Sequence, residues 1–200
     1  MKENKKKNMR KVSLHRKTSE TEVKVELNLD GTGQSDIETN IKFLSHMLTL
    51  LTRHSQMDLT LECKGDLKHH IVEDVGIILG QAIEQSLGNK RGITRYGFAY
   101  VPMDEVLARC VIDLGGRAYL VSKMNLKQSE VEDIPVSLLD HFLDTLVKNA
   151  NINIHIEVLY GNDEHHKVEA AFKAMARALK QAIALDVKTS EQIPSSKGIL

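Results

Sequence analysis

The feature that most constrains this chain is that it repeats itself. The stretch HMLTLL from His46 returns as HFLDTL from His141, 95 positions later, and HHIVE from His69 returns as HHKVE from His165, 96 positions later. Between these anchors Glu62 matches Glu157, Gly65 matches Gly161 and Gln85 matches Gln181. One extra residue near Tyr160 accounts for the change of offset. Two offsets that agree this closely point to an internal duplication, in which each copy is one supersecondary unit.

Hydrophobic periodicity gives the content of the unit. Val23, Val25, Leu27 and Leu29 alternate from Thr21 and stop at Asp30-Gly31, as in a strand. Over 41–54 the period changes, with Phe43, Leu44, Met47, Leu48 and Leu51 on one helical face. Met57, Leu59, Leu61 and Cys63 alternate up to Gly65-Asp66, and a longer helix is predicted from His69 to Leu87, closed by Gly88-Asn89. The second half follows the same plan. It has three predicted strands over 95–123 around Gly115-Gly116 and a helix over 137–149. A strand through Ile152, Ile154, Ile156 and Val158 follows, then a helix from His165 to about Ala184. The expected fold class is α+β, an internal duplication of two sheet-plus-two-helix halves. The expected divisions are a basic disordered tail at 1–11, repeats at 12–94 and 95–187, and a loop-like polar C-terminal tail at 188–200, to which the resemblance given below assigns substrate binding. The halves are expected to pack sheet against sheet, or edge to edge, with helices covering the faces.

Composition removes several classes of function. Lys plus Arg and Asp plus Glu number 27 each, so the formal charge is zero; that argues against nucleic acid or an acidic membrane as partner. Cys63 and Cys110 are the only cysteines, which suits a reducing compartment, so a cytoplasmic protein is expected. No apolar run approaches the ~20 residues of a membrane span.

The chemistry lies in the doubled His-His-x-x-Glu. On a helix, positions i and i+4 share a face, so His69 converges with Glu73 and His165 with Glu169. His70 and His166 point about 100° away and are available to a second ion. Imidazole plus carboxylate suits Mn, Fe, Zn or Ni. With His46 and His141 as matched third histidines, one ion would take His46, His69, Glu73 and His166. The other would take His141, His165, Glu169 and His70. Each would keep open positions for substrate. Metal binding is expected to weaken below roughly pH 6 as imidazoles protonate. His15, His54 and His155 have no matched partner and are assigned to surface or core; Met47, Met57, Met175 and Cys63 are assigned to the core. The residues alone also suit a binuclear metallohydrolase acting on a phosphate ester or amide, or a metal-binding shell without catalysis.

The stretches RKTSETEV, FLSHMLTLLTRHS, GDLKHHIVEDVGIILGQAI, KRGITRYG, VPMDEVLARCVIDLGGRAYL, LYGNDEHHKVEAAFKAMARALKQAI and IPSSKGIL run from about residue 16 to the end. Together they resemble the imidazoleglycerol-phosphate dehydratases of histidine biosynthesis. The sequence departs from the family pattern ahead of the first His pair, where the loop is shorter and Lys68 directly precedes His69.

The resemblance implies a pair of like halves in the ribosomal protein S5 domain 2-like arrangement. It also implies two Mn ions per active site, with His46, His69, His70, Glu73, His141, His165, His166 and Glu169 as ligands, and self-association into trimers and a shell of twenty-four subunits with shared sites. The implied reaction is a hydro-lyase step: water leaves the glycerol chain of imidazoleglycerol phosphate to give imidazoleacetol phosphate. The proton to be lost stands beside the imidazole ring and is not acidic, so holding the ring on metal as imidazolate would let electrons enter the ring as hydroxide departs. Glu20 is the implied proton-transfer group at the substrate, with His70, Glu73 and Glu169 in the catalytic set and His46 also at the substrate. Arg95, Arg117, Ser195, Ser196 and Lys197 match the family's phosphate-binding positions, where fixed cations and donors hold the anion.

Overall fold

A computed structural model describes residues 10–200. The first half contains β1 (Lys11–Lys17), β2 (Thr21–Asn28), β3 (Ser35–Glu38), α1 (Lys42–Ser55), β4 (Asp58–Gly65) and α2 (Lys68–Leu87). The second contains β5 (Tyr96–Met103), β6 (Val106–Asp113), β7 (Tyr119–Lys123), a small hairpin of β8 (Glu130–Val131) and β9 (Ile134–Pro135), then α3 (Val136–Ala150), β10 (Asn153–Tyr160) and α4 (Glu164–Ala182). The strand orders are β1-β2-β4-β3 and β5-β6-β10-β7, each with three antiparallel strands and one parallel edge strand. The duplication therefore holds at the level of topology. The extra residue expected near Tyr160 is a register shift in β10 between Val158 and Tyr160. It is a bulge that the continuous β2–β4 ladder of the first half does not contain.

The basic tail is shorter than the composition suggests. Lys11 opens β1, and Arg10 is held by Asp30 at 2.6 Å and by the Ile183 carbonyl at 2.6 Å. The rest of that tail, 1–9, lies outside the described residues.

The halves do not meet sheet to sheet. Each sheet buries one face under its own two helices, and the helices then pack on those of the other half, α2 on α3 and α1 on α4. The order of layers is sheet, helices, helices, sheet. Alternation explains why: Val23, Val25, Leu27, Leu59, Leu61 and Cys63 point inward, while Lys24, Glu26, Thr60, Glu62 and Lys64 of the same strands face outward. A sheet with one charged face cannot bury both.

The helices that fill the middle carry small residues at the crossing. A β-carbon on Gly76 would lie 3.2 Å from the Phe142 carbonyl oxygen, and one on Gly80 would lie 2.7 Å from that of Leu146. The order of these contacts shows that α2 and α3 run parallel. Gly97 is tighter still, since a β-carbon there would lie 1.9 Å from the Ala178 carbonyl oxygen. Gly97→Ala must force α4 off β5. We expect a loss of at least about 1–3 kcal/mol, as for overpacked cores, measured by denaturant unfolding against wild type.

Candidate metal centre

All eight ligand candidates lie in the first two turns of a helix, three each on α2 and α4 and one each on α1 and α3. The structure groups them into two clusters, in each of which one ligand atom per residue lies within 4.8 Å of the others. The first is His46, His165 and Glu169; the second is His69, Glu73 and His141. Within one chain this exchanges the expected third histidines. His46 does not join His69 and Glu73, and His141 does not join His165 and Glu169. The reason is the helix packing: α1 lies against α4 and α3 against α2, so each third histidine meets the motif of the other half.

In the first cluster Glu169 is buried, with Oε2 at 3.4 Å from His46 Nε2 and 3.3 Å from His165 Nε2, while Oε1 meets Lys173 at 2.6 Å. Burial raises the Glu169 carboxyl, but the Lys173 and histidine contacts outweigh it and the net shift is downward, so the group stays an anion. Phe43 closes one side, 5.0 Å between ring centres from His165. In the second cluster His69 stacks on His141 at 4.8 Å. His141 Nε2 is buried without a hydrogen-bond partner and stands 4.0 Å from Glu73 Oε1, too far for a direct bond. A buried lone nitrogen aimed at a carboxylate fits a divalent ion between the two.

The other two motif histidines turn outward. His70 Nδ1 meets Asp66 at 2.7 Å and lies 3.8 Å from Glu20, and His166 Nδ1 meets Glu105 at 2.9 Å. Asp66 pushes the His70 imidazole up, and Glu105 does the same to His166. Backbone donors of Asp163, with His166, hold Glu105 down at about 2. Neither His70 nor His166 belongs to a cluster of its own chain. His15 pairs with Glu22, His54 is half-buried on α1 and His155 lies on an outer sheet face, so the three unmatched histidines stay apart from both clusters.

Glu20 sits on the turn between β1 and β2, which is tied down at two points. Thr18 Oγ1 accepts from the Glu20 and Thr21 amides, and buried Asp74 accepts from Arg16 at 2.8 Å and from Thr21. Asp74 follows Glu73 in the motif, so the same helical turn that offers a candidate ligand also anchors the loop of Glu20. In the sequence Asp74 is marked only by its place after the motif Glu; its burial and its bonds to Arg16 and Thr21 appear in the structure.

The candidate phosphate residues gather elsewhere. Arg95 is bonded to Asp113 at 2.7 and 3.1 Å and to the Pro194 carbonyl at 2.8 Å. As placed, it holds the C-terminal tail. Arg117, Ser196 and Lys197 are exposed, and Ser195 Oγ accepts from the Lys197 amide. The tail returns to Gly116, where a β-carbon would lie 2.9 Å from the Leu200 carbonyl carbon. This group is at the far end of α4 from His165, because the Arg95 amide donates to Ala182, the last residue of that helix. At about 1.5 Å per residue the two sets stand roughly 25 Å apart in one chain.

A sequence profile described as imidazoleglycerol-phosphate dehydratase matches residues 39–179. The protein of that name from Chlorobium phaeovibrioides is 48% identical over 202 residues and is covered, like this chain, to 100%. That from Prosthecochloris aestuarii is 47% identical, with 96% of each chain covered. The crystal structure of imidazoleglycerol-phosphate dehydratase from Staphylococcus aureus superposes with a TM-score of 0.81 at 38% identity, covering 88% of this chain and 99% of that one. The Pyrococcus furiosus structure gives 0.78 at 34%, with 94% and 100% covered.

Replacing Asp74 by Asn leaves Arg16 without its buried anion. We expect a loss of about 1.5–3 kcal/mol, the range for hydrogen bonds to charged groups, read by chemical denaturation.

Proposed function

Because the chain belongs to the imidazoleglycerol-phosphate dehydratase family and is a hydro-lyase of histidine biosynthesis, we propose that its reaction depends on two Mn ions at the two clusters. The observation that supports this most directly is His141 Nε2, a buried nitrogen with no partner facing the Glu73 carboxylate. When bound, the ions supply Lewis acidity and a template that holds the imidazole ring in its imidazolate form. The chain's own residues do the rest. Glu20, beside His70 on an anchored turn, moves the proton from the carbon next to the ring. Arg117, Ser195, Ser196 and Lys197 bind the phosphate, while Arg95 holds the tail that carries three of them. Hydrolysis of a phosphate ester gains no support, since each cluster is rich in imidazole and has a single carboxylate.

The distance along α4 bears on assembly. A small phosphorylated imidazole cannot reach from His165 to Arg117 of one chain, so we propose that each site is completed by a neighbouring subunit, within trimers and the shell of twenty-four. Two observations support it. His70 and His166 point out of their own clusters. The outer face of the second sheet carries Phe98 at 63% and Tyr100 at 57% exposure beside Val111, where the first sheet carries charges. Such an aromatic patch, set beside the exposed Arg109–Glu157 ion pair, suits a contact with another copy. Among the described residues no helix is long and apolar enough to cross a membrane; with Cys63 and Cys110 both unpaired and buried, we place the protein in the cytoplasm.

Purified protein loaded with Mn should convert imidazoleglycerol phosphate to imidazoleacetol phosphate, and chelation should abolish turnover and lower the mass seen by light scattering. Full metal occupancy without turnover would reject the reading. Glu20→Gln and Arg117→Ala should each lose at least about 100-fold in rate, in the range for a removed proton-transfer group or charge clamp. Dissociated and reassembled together, the two inactive variants should regain activity, because one shared site then receives an intact Glu20 and an intact Arg117 from different chains.

Protons compete with the ions for imidazole nitrogen. Since Asp66 raises His70 and Glu105 raises His166, both hold their protons to a higher pH than an ordinary imidazole near 6.5. Mn affinity is expected to decline already from above that value as pH falls, rather than only below about pH 6. Calorimetric titrations at several pH values give the slope.

A further inference from the structure

The two halves differ most between the parallel edge strand and the helix that follows it. In the first half β3 ends at Glu38 and α1 begins at Lys42. In the second, β7 ends at Lys123 and α3 begins only at Val136, and residues 124–135 form an insertion ending in the β8–β9 hairpin. This insertion is tied to the site at both ends. At its start the Lys127 amide donates to Glu164 and the Asn125 carbonyl accepts from Lys167, the two joined in a buried ion pair at 2.8 Å. At its tip Asp133 accepts from the Lys42 and Phe43 amides at 2.8 and 3.0 Å, capping α1, whose own N-cap residue Ile41 supplies no side-chain bond. Lys68, at the start of α2, donates to the Asp133 carbonyl.

Beside Asp133, Glu132 adopts φ +52, a left-handed conformation that a residue with a β-carbon adopts only at a cost. Its carboxylate lies 2.9 Å from His165 Nδ1. That contact turns Nε2 of the same ring toward Glu169, 3.3 Å away. Among the described residues no carboxylate is hydrogen-bonded to a ring nitrogen of His69, the equivalent residue of the first half, which stacks on His141 instead. The insertion thus acts on the His46–His165–Glu169 cluster from two sides: Asp133 holds the helix of His46 and Glu132 holds the ring of His165.

We infer that Glu132 is a positioning residue, carried by an insertion particular to the second half, which fixes the tautomer and orientation of His165 and so makes the two metal centres unequal. A carboxylate on the far nitrogen of a metal-binding imidazole fixes the ring and raises its basicity, and losing it lowers affinity about 10–100-fold. The inference rests on the metal-binding reading above.

The test uses the full chain with Glu132→Gly and Glu132→Gln. Glycine accepts the left-handed backbone without strain, so its melting temperature should hold or rise while affinity for the ion on His165 falls about 10–100-fold. Mn titration of metal-free protein, with anomalous diffraction to assign each ion, should show the ion on His69 unchanged. Gln keeps a polar partner for Nδ1 and should restore most of the affinity. Wild-type binding at both sites in the Gly variant, or an equal loss at both, would overturn the inference. Structures of metal-free wild type and Gly variant separate it from the reading it rests on. If wild type binds no ion yet His165 swings away only in the variant, the metal reading fails and the positioning role stands. An unmoved His165 ring overturns the positioning role itself.

Discussion

The packing of α1 on α4 and of α2 on α3 is the contact on which the rest depends. Neither sheet can form a core with the other, because each presents an exposed outer face along its strands. The apolar faces of the helices must therefore be buried between the sheets, and they can be buried only against each other. Gly76 and Gly80 let α2 approach α3 closely enough to exclude voids. His54 on α1 comes near Lys173 and Arg177 of α4, as His46 comes near His165 and Glu169, so this pair is also parallel. Parallel pairs bring four helix N-termini to one end of the molecule. A motif at the start of a helix then has no choice but to meet its counterpart's neighbours there.

Much of this was legible in the sequence. Period-two and period-3.6 patterns located β2, β4, β10 and all four long helices to within a few residues, since each buries one face and exposes the other. The doubled motif located the chemistry, and the shift of offset near Tyr160 located a bulge. What the sequence hid was pairing across the duplication. Periodicity says that a helix has a partner for its apolar face but not which helix it is, so His46 was grouped with the motif of its own half. The β8–β9 hairpin was hidden for a different reason: two-residue strands have no period to read, and Glu132 at positive φ follows no turn preference. Arg95 was legible as a cation, but its bond to the Pro194 carbonyl is a contact between residues 99 positions apart.

The division of the molecule into two ends has a chemical consequence. The end bearing the clusters is built from helix starts and short turns. The other end is built from the close of α4, the turn after β6 and the returning tail. The first is suited to holding rings and ions with rigid side chains. The second presents Arg117 and Lys197 on loops, suited to an anion that arrives from outside the chain. The two groups stand at opposite ends of α4 within one subunit, and the outer faces of the two sheets differ in the same molecule, one bearing Phe98 and Tyr100 and the other Lys24, Glu26 and Glu62.

Helix N-termini are, on their own, poor places for a cation. Each carries about half a positive charge, and here four converge. The distribution of carboxylates answers this. Glu73 and Glu169 lie inside the clusters, Asp66, Glu105 and Glu132 hold motif imidazoles, Asp133 caps α1 and Asp163 caps α4. All are within reach of a helix start, so the field of the dipoles is offset by side chains that also fix ring orientation. The downward shift of Glu169 and Glu105 and the upward shift of His70 and His166 are two faces of that arrangement: anions held as anions, and imidazoles drawn toward the charged form. On the proposed reading, a divalent ion held by these residues would compete with protons for the outward-turned imidazoles, and its charge would supply the neutralisation those protons give.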